Sequence, residues 1–401
     1  MLSVADAMRA VIARVPHVGR ERIAADAACG RILATDLVAT RALPGFDNSA
    51  MDGYAARSAD LPGVLPVAGV IAAGQLAVPA LPPGAALRIF TGAPMPPGAD
   101  TVVIQEDARP EGERGERVGL PAAPAGDNVR VVGEDIAIGE TVLTAGTRLG
   151  PWDLGLLAAL GVQEVEVARA PRVALIATGD ELVDVATPPG PGQLVDSSMH
   201  ALAALVREAG GIPETLGIAR DDLASLADRF AAAAHHDAVI TTGGVSVGDR
   251  DYVRAALSAA GIALELYKVA MKPGKPFAFG MRGADHPAPV FGLPGNPVST
   301  VVAFELFLRP ALLAMQGARI VERPRATVRV TAGYRKQAGR AHYLRARVVR
   351  DGERLLATPH DKQGSAMLSS LVGCNALVVV GAELTELAPG AAAPAILMEP
   401  V

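Results

Sequence analysis

The segment Gly243-Gly244-Val245-Ser246-Val247-Gly248-Asp249-Arg250-Asp251 gathers residue types that suit a phosphate-like anion. Its three glycines let backbone amides approach a ligand, and the Ser246 hydroxyl can donate to an oxygen. The Asp249 and Asp251 carboxylates are hard oxygen ligands for Mg2+, an ion that shares its shell with phosphates. The spacing is neither that of a Walker A loop nor that of a dinucleotide fingerprint. Further on, Lys272-Pro273-Gly274-Lys275-Pro276 sets two lysines three apart on a chain stiffened by prolines, in an otherwise lysine-poor sequence. Two more segments share this character: Thr178-Gly179-Asp180-Glu181, and Gly292-Leu293-Pro294-Gly295-Asn296-Pro297-Val298-Ser299. In the second, Asn296 suits a helix N-cap and Pro297 the first helical position, so free amides there would attract an anion.

Each segment also has a plainer reading. Acidic residues often open helices, where they favour the dipole. Exposed lysines usually just solvate a surface. Asp47, Asp52, Glu134 and Asp135 lie in turn-rich stretches and can be turn chemistry alone. No Ser-His-Asp or Cys-His arrangement points to a covalent intermediate.

The elements that must position these residues follow from the apolar pattern. Arg172 to Ala177 is an apolar strand ending in Thr178-Gly179. A helix at Ser198 to Glu208, a strand around Thr215 to Ile218, a helix at Asp222 to Ala233, and strands at Ala238 to Thr242 and Pro289 to Gly292 follow. Alternation of this kind, with strands apolar on both faces, predicts a parallel sheet covered on both sides, whose ligands sit beyond the carboxyl ends. The fold class is therefore multidomain α/β plus β. Residues 171–317 form the parallel α/β domain, 46–129 a small inserted β domain, and 318–401 a C-terminal all-β domain. Residues 1–45 together with 130–170 are expected to pack side by side as a linker domain, which makes the β domain an insertion.

Composition narrows the function. The 401 residues carry a net charge of −5, with basic residues scattered rather than clustered, which argues against nucleic acid as a partner. The two cysteines, Cys29 and Cys374, make no disulfide framework, and the seven histidines lack paired zinc-ligand spacing. A reducing, cytoplasmic setting is expected. The apolar stretch Val301 to Met315 is interrupted by Glu305, Arg309 and Pro310, so no membrane span is expected.

Taken in order, Pro44 to Tyr54, Thr91-Gly92-Ala93-Pro94, Gly133-Glu134-Asp135, Thr178 to Leu182, Gly243 to Asp251, Lys272 to Pro276 and Gly292 to Ser299 resemble the molybdopterin molybdenumtransferase (MoeA) family, related to the E domain of gephyrin. The resemblance covers nearly the whole chain. It implies an Mg2+-dependent enzyme of molybdenum cofactor biosynthesis that takes adenylylated molybdopterin and molybdate and releases AMP. It also implies a homodimer in which the Asp52 loop serves the partner's cleft, with a molybdopterin adenylyltransferase and recipient molybdoenzymes as further partners. By motif, Asp52, Asp135, Glu181 and Asp251 match acidic catalytic positions, and Glu181 and Asp251 match the metal site. Thr91, Asp222, Gly243, Gly244, Ser246 and Gly248 match substrate-binding positions. So do Lys272, Lys275, Pro294, Asn296 and Ser299. Arg345 in Tyr343-Leu344-Arg345 and Ser365 in Gln363-Gly364-Ser365 match on shorter strings. Two rivals remain: an adenylyltransferase that makes the intermediate, and a scaffold that keeps the fold without catalysis. ATP consumption would mark the first. Indifference of molybdoenzyme activity to mutation of the acidic and lysine positions would mark the second.

Overall fold

The computed structural model describes residues 1–243, 257–258, 262–283 and 287–401, with the backbone alone for 264–267. The glycine-rich segment after Gly243, with Gly244, Ser246, Gly248 and Asp251, therefore lies outside the described residues.

A six-stranded sheet organises the middle of the chain. Its order is Ile212–Ala219, Arg172–Thr178, Ala238–Thr242, Ala288–Leu293, Pro276–Arg282 and Ala263–Lys268. The first four strands are parallel. Pro276–Arg282 runs antiparallel to both its neighbours, which corrects the expectation of an all-parallel sheet. The physical reason is the short connection after Arg282: it is too short for a crossover, so the chain returns as a hairpin. Both faces of Arg172–Thr178 are covered. Val173, Leu175 and Ala177 pack on one side with Leu202, Phe304 and Leu312; Ala174 and Ile176 pack on the other with Leu226 and Val290. This two-sided burial explains the uninterrupted apolar run in the sequence.

The helix Pro297–Met315 forms the floor of one face. It has the length and composition of a membrane span, but 89% of its apolar window lies inside the fold, as in a core helix. At Phe304–Leu308 it widens into a π turn just before Pro310. Pro310 has no N–H to return to the preceding turn, and the wider turn accommodates that. The same turn presents the buried Glu305, which pairs with Arg323 at 2.9 Å; Arg323 also reaches Glu208 at 2.6 Å.

The C-terminal strands close on themselves. Ala341–Asp351 pairs with Arg354–Pro359 along one end and with Ala376–Val380 along the other, while Arg325–Val330 and Ala392–Leu397 complete the ring. Closure removes the free edges that an open sheet would expose. Residues 341–342 remain available to one more strand, Met271–Lys272, which docks there in parallel register.

Before the central sheet, Gly53–Ala56, Gly63–Ile71, Ala86–Ile89, Thr101–Ile104, Arg109–Glu111 and Arg117–Leu120 build a second six-stranded sheet. The chain on either side of it pairs: Arg20–Ala24 with Glu164–Ala168, Leu37–Val38 with Thr141–Leu143, and Asn48–Ser49 with Val129–Arg130. Two helices, Val4–Ile12 and Pro151–Ala159, flank these pairs.

Candidate functional site

Arg172–Thr178 has parallel neighbours on both sides, so the chain leaves it in one direction and returns on the other. Such a reversal opens a crevice at the carboxyl ends, where ligands of open α/β sheets bind. The loops there are held close. Thr178 Oγ1 donates to the Thr242 carbonyl at 3.0 Å, and the Gly243 amide donates to the Leu293 carbonyl at 3.1 Å. Gly243 has φ +84°, and a Cβ there would stand 2.5 Å from the Thr178 carbonyl oxygen, so only glycine fits. The exposed Glu181 carboxylate folds back over Gly179, where a Cβ would stand 2.7 Å from one of its oxygens.

Several expected residues have defined local roles. Asp222 caps the helix Leu223–Ala232, its carboxylate accepting the Ser225 amide at 2.7 Å. Asn296 does occupy the N-cap of the next helix, but its side chain makes no capping bond; this corrects the capping role read from sequence. The Val298 amide donates instead to the Ser365 carbonyl at 3.1 Å. One start amide is thus taken by a loop of the C-terminal barrel rather than left for an anion. Pro294 is buried and its carbonyl accepts from Thr300 Oγ1 at 2.6 Å, which fixes the turn. Ser299 is 3% exposed, beneath Gly274 of the lysine segment.

Lys272 and Lys275 are exposed on a short stretch held from both sides. Ala270 accepts the Ala341 amide at 2.8 Å, and its own amide donates to Leu2 at 2.9 Å. Arg345 is 1% exposed, and burial lowers its pKa from the ordinary arginine value. Its Nε donates to Ser370 Oγ at 3.0 Å, and its Nη2 donates to the Lys362 and Gly364 carbonyls, each at 3.0 Å. Gln363 clasps the Arg345 backbone from both ends. Arg345 is therefore the strut of the loop that carries Ser365 to the helix start. Gln363 and Ser370 escaped the sequence reading because their partner is distant in sequence and reached across the barrel wall.

The N-terminal acidic residues form a separate group. Asp52 accepts the Thr91 amide at 2.7 Å and the Thr91 hydroxyl at 2.8 Å. Those two bonds hold its carboxyl below the usual aspartate pKa, so it stays ionised in mildly acidic solution. Asp135 is exposed on the turn whose amide returns to Leu43. Among the described residues, no hydrogen bond or ion pair joins Asp52, Thr91 or Asp135 to the strand-end loops. The same limit applies to metal ligation: no three His, Cys, Asp or Glu side chains converge among the described residues.

Comparison with known proteins matches this arrangement. Three family models align in order: the MoeA N-terminal region (domain I and II) over residues 2–161, a probable molybdopterin binding domain over 174–314, and the MoeA C-terminal region (domain IV) over 327–398. A molybdopterin molybdenumtransferase 2 of Mycobacterium tuberculosis (strain CDC 1551 / Oshkosh) is 39% identical over 376 residues, 90% of this chain and 91% of the relative. A molybdopterin molybdenumtransferase of Nostoc sp. is 43% identical over 300 residues, 73% of this chain and 68% of the relative. The crystal structure of the molybdopterin biosynthesis MoeA protein from Pyrococcus horikoshii superposes with a TM-score of 0.84 at 30% identity, covering 100% of both chains. Sequence and fold agree that the chain belongs to the molybdopterin molybdenumtransferase (MoeA) family.

Proposed function

We propose that this protein completes molybdenum cofactor in the cytoplasm: it takes adenylylated molybdopterin and molybdate, bonds molybdenum to the dithiolene sulfurs and releases AMP. What supports the reading is that the strand ends at Thr178, Gly243 and Leu293 are bonded together, with Gly274 of the lysine segment over Ser299 and the Ser365 carbonyl on the Val298 amide. Molybdate is a tetrahedral dianion, and in a chain of net charge −5 it needs a local cationic site. The two exposed lysines supply one. Glycine-rich backbone at Gly179 and Gly243 suits the pyrophosphate.

The donor chemistry fits Mg2+. That ion takes one or two carboxylates and completes its shell with water and substrate phosphates, so it requires no closed protein cage. Glu181, with Asp251 outside the described residues, would hold it, and when bound it supplies charge neutralisation at the pyrophosphate. The chain's own groups do the rest. Lysines hold the oxyanion, backbone amides orient the phosphates, and Glu181 and Asp251 place the attacking water. The assay is AMP release from adenylylated molybdopterin in the presence of molybdate and Mg2+. Asp251→Asn is expected to abolish molybdate-dependent release; an unchanged rate removes Asp251 from the reaction, and ATP consumption in place of AMP release would favour an adenylyltransferase.

The chain is further proposed to divide at residues 1–45 with 130–170, 46–129, 171–317 and 318–401, and to work as a homodimer. Strand pairs on both sides of the 53–120 sheet support the insertion. An apolar surface supports the dimer. The helix Pro151–Ala159 is apolar nearly all round, with Trp152 90% exposed, and Phe46, Met51, Val131 and Val132 are exposed beside Asp52 and Asp135 in sequence. A second subunit would cover such surface and bring Asp52 to the partner's lysines. Trp152→Glu is expected to shift the protein to monomer in sedimentation and to remove AMP release with it. A monomeric wild type would end the dimer proposal.

A further inference from the structure

The docked lysine strand meets more than a backbone edge. Lys272 is the register partner of His342 and Met271 that of Ala341. Side chains opposite one another on paired strands share a face, and successive residues alternate. Met271 is fully buried in the core of the central sheet, and Ala341 packs against the same core. Lys272 and His342 therefore share the other face, which along this strand leads through Leu344, Ala346 and Val348 into the barrel interior.

At that mouth His342 is 5% exposed. Its Nδ1 lies 3.0 Å from Tyr334 Oη, and the two rings meet edge to face at 5.7 Å between centroids. The charges of Lys272, Lys336 and Arg340 act on the imidazole, and that of Arg345 on the tyrosine. Lys336 is tied down by the Gln337, Arg340 and Ala382 carbonyls at 3.4, 2.9 and 3.2 Å. Burial first, and then these three cations, hold the imidazole at a pKa of about 4. The ring is thus an uncharged group on the barrel wall beside the lysine strand, fixed by one hydrogen bond shared with a tyrosine that packs against the barrel core.

We propose that the Tyr334–His342 pair is a positioning device for Lys272, setting where the lysine ammonium stands toward the bound oxyanion. The inference rests on the reading of Lys272 as an oxyanion ligand. Backbone pairing alone cannot do this work. Met271–Lys272 contributes only two residues to the sheet, and a two-residue pairing leaves the lysine side chain free among its rotamers. A rigid aromatic pair on the same face removes part of that freedom before the ligand arrives, which is how preorganisation raises affinity. An uncharged ring also avoids placing a fourth cation beside three others.

The test is molybdate binding to the full-length protein by calorimetry, with molybdate KM and kcat read in parallel. Tyr334→Phe removes one oxygen atom. It is expected to raise the molybdate Kd and KM about tenfold with little change in kcat. His342→Ala should do at least as much, and His342→Gln, which keeps a donor and an acceptor, should restore part of the loss. In the Lys272→Ala background Tyr334→Phe should have no further effect, because a positioning role acts only through the lysine. Equal effects of Tyr334→Phe with and without Lys272 would reduce the pair to a structural role and overturn the inference. Wild-type affinity in Tyr334→Phe and His342→Ala, while Lys272→Ala loses binding, would overturn it too and leave the oxyanion reading standing. Retained molybdate binding in Lys272→Ala would overturn that reading and the inference with it.

Discussion

Lys272→Ala is expected to lower molybdate-dependent AMP release about a hundredfold, the size of one lost charge-assisted contact to a bound anion. Lys275→Ala should fall in the same direction. Both side chains are exposed, so neither change should move the unfolding free energy by more than about 0.5 kcal/mol. That combination separates a ligand-binding role from a structural one. Added salt should weaken molybdate binding to the wild type and have a smaller effect on each variant, because screening acts on the charge that was removed. A variant that releases AMP at the wild-type rate would show that these lysines only solvate the surface.

Arg345→Met should do the opposite: it should unfold the barrel first and lose activity as a result. The substitution keeps an apolar stem but leaves Ser370 Oγ and the Lys362 and Gly364 carbonyls without their donor. Loss of hydrogen bonds from a buried charged group to three acceptors costs on the order of 3 kcal/mol. The loop 362–365 would come away from the helix start, since its contact there is the Ser365 carbonyl on the Val298 amide. Arg345→Lys should recover little of this, because one ammonium cannot span a hydroxyl and two carbonyls as the guanidinium fork does. Denaturant unfolding, followed beside AMP release, checks the order of events. Full stability with lost activity would return Arg345 to a direct role on substrate.

Much of this was legible in the sequence because local signals sufficed. Arg172–Thr178 is apolar throughout, as a strand covered on both faces must be, and Ser198–Glu208 was marked at its end by Gly210-Gly211. The C-terminal strands read as short β-type runs with turns between them. Pairings between distant segments were not legible. Arg20–Ala24 opens with three charges in a row and reads as polar chain until Glu164–Ala168 is set beside it, where Arg20 reaches Glu166 across the diagonal at 3.7 Å. The antiparallel edge of the central sheet was missed because Pro273 and Pro276 gave the lysine segment the look of a loop. The site divided along the same line. Glycines and acids announced the strand ends, whereas Tyr334, His342, Gln363 and Ser370 matter only through partners the sequence does not name.

The bonds on either side of Ala270 also fix when the lysines can be set in place. Leu2 is made long before the Val269 it pairs with, and that strand in turn must wait for Ala341. Contacts between positions so far apart form late, after local units have collapsed, since loop closure must be met before they contribute. Chains fold from the N-terminus as they are made, so the central sheet can condense while its lysine segment is still loose. A chain that stops short of Ala341 is then expected to leave its lysine segment undocked.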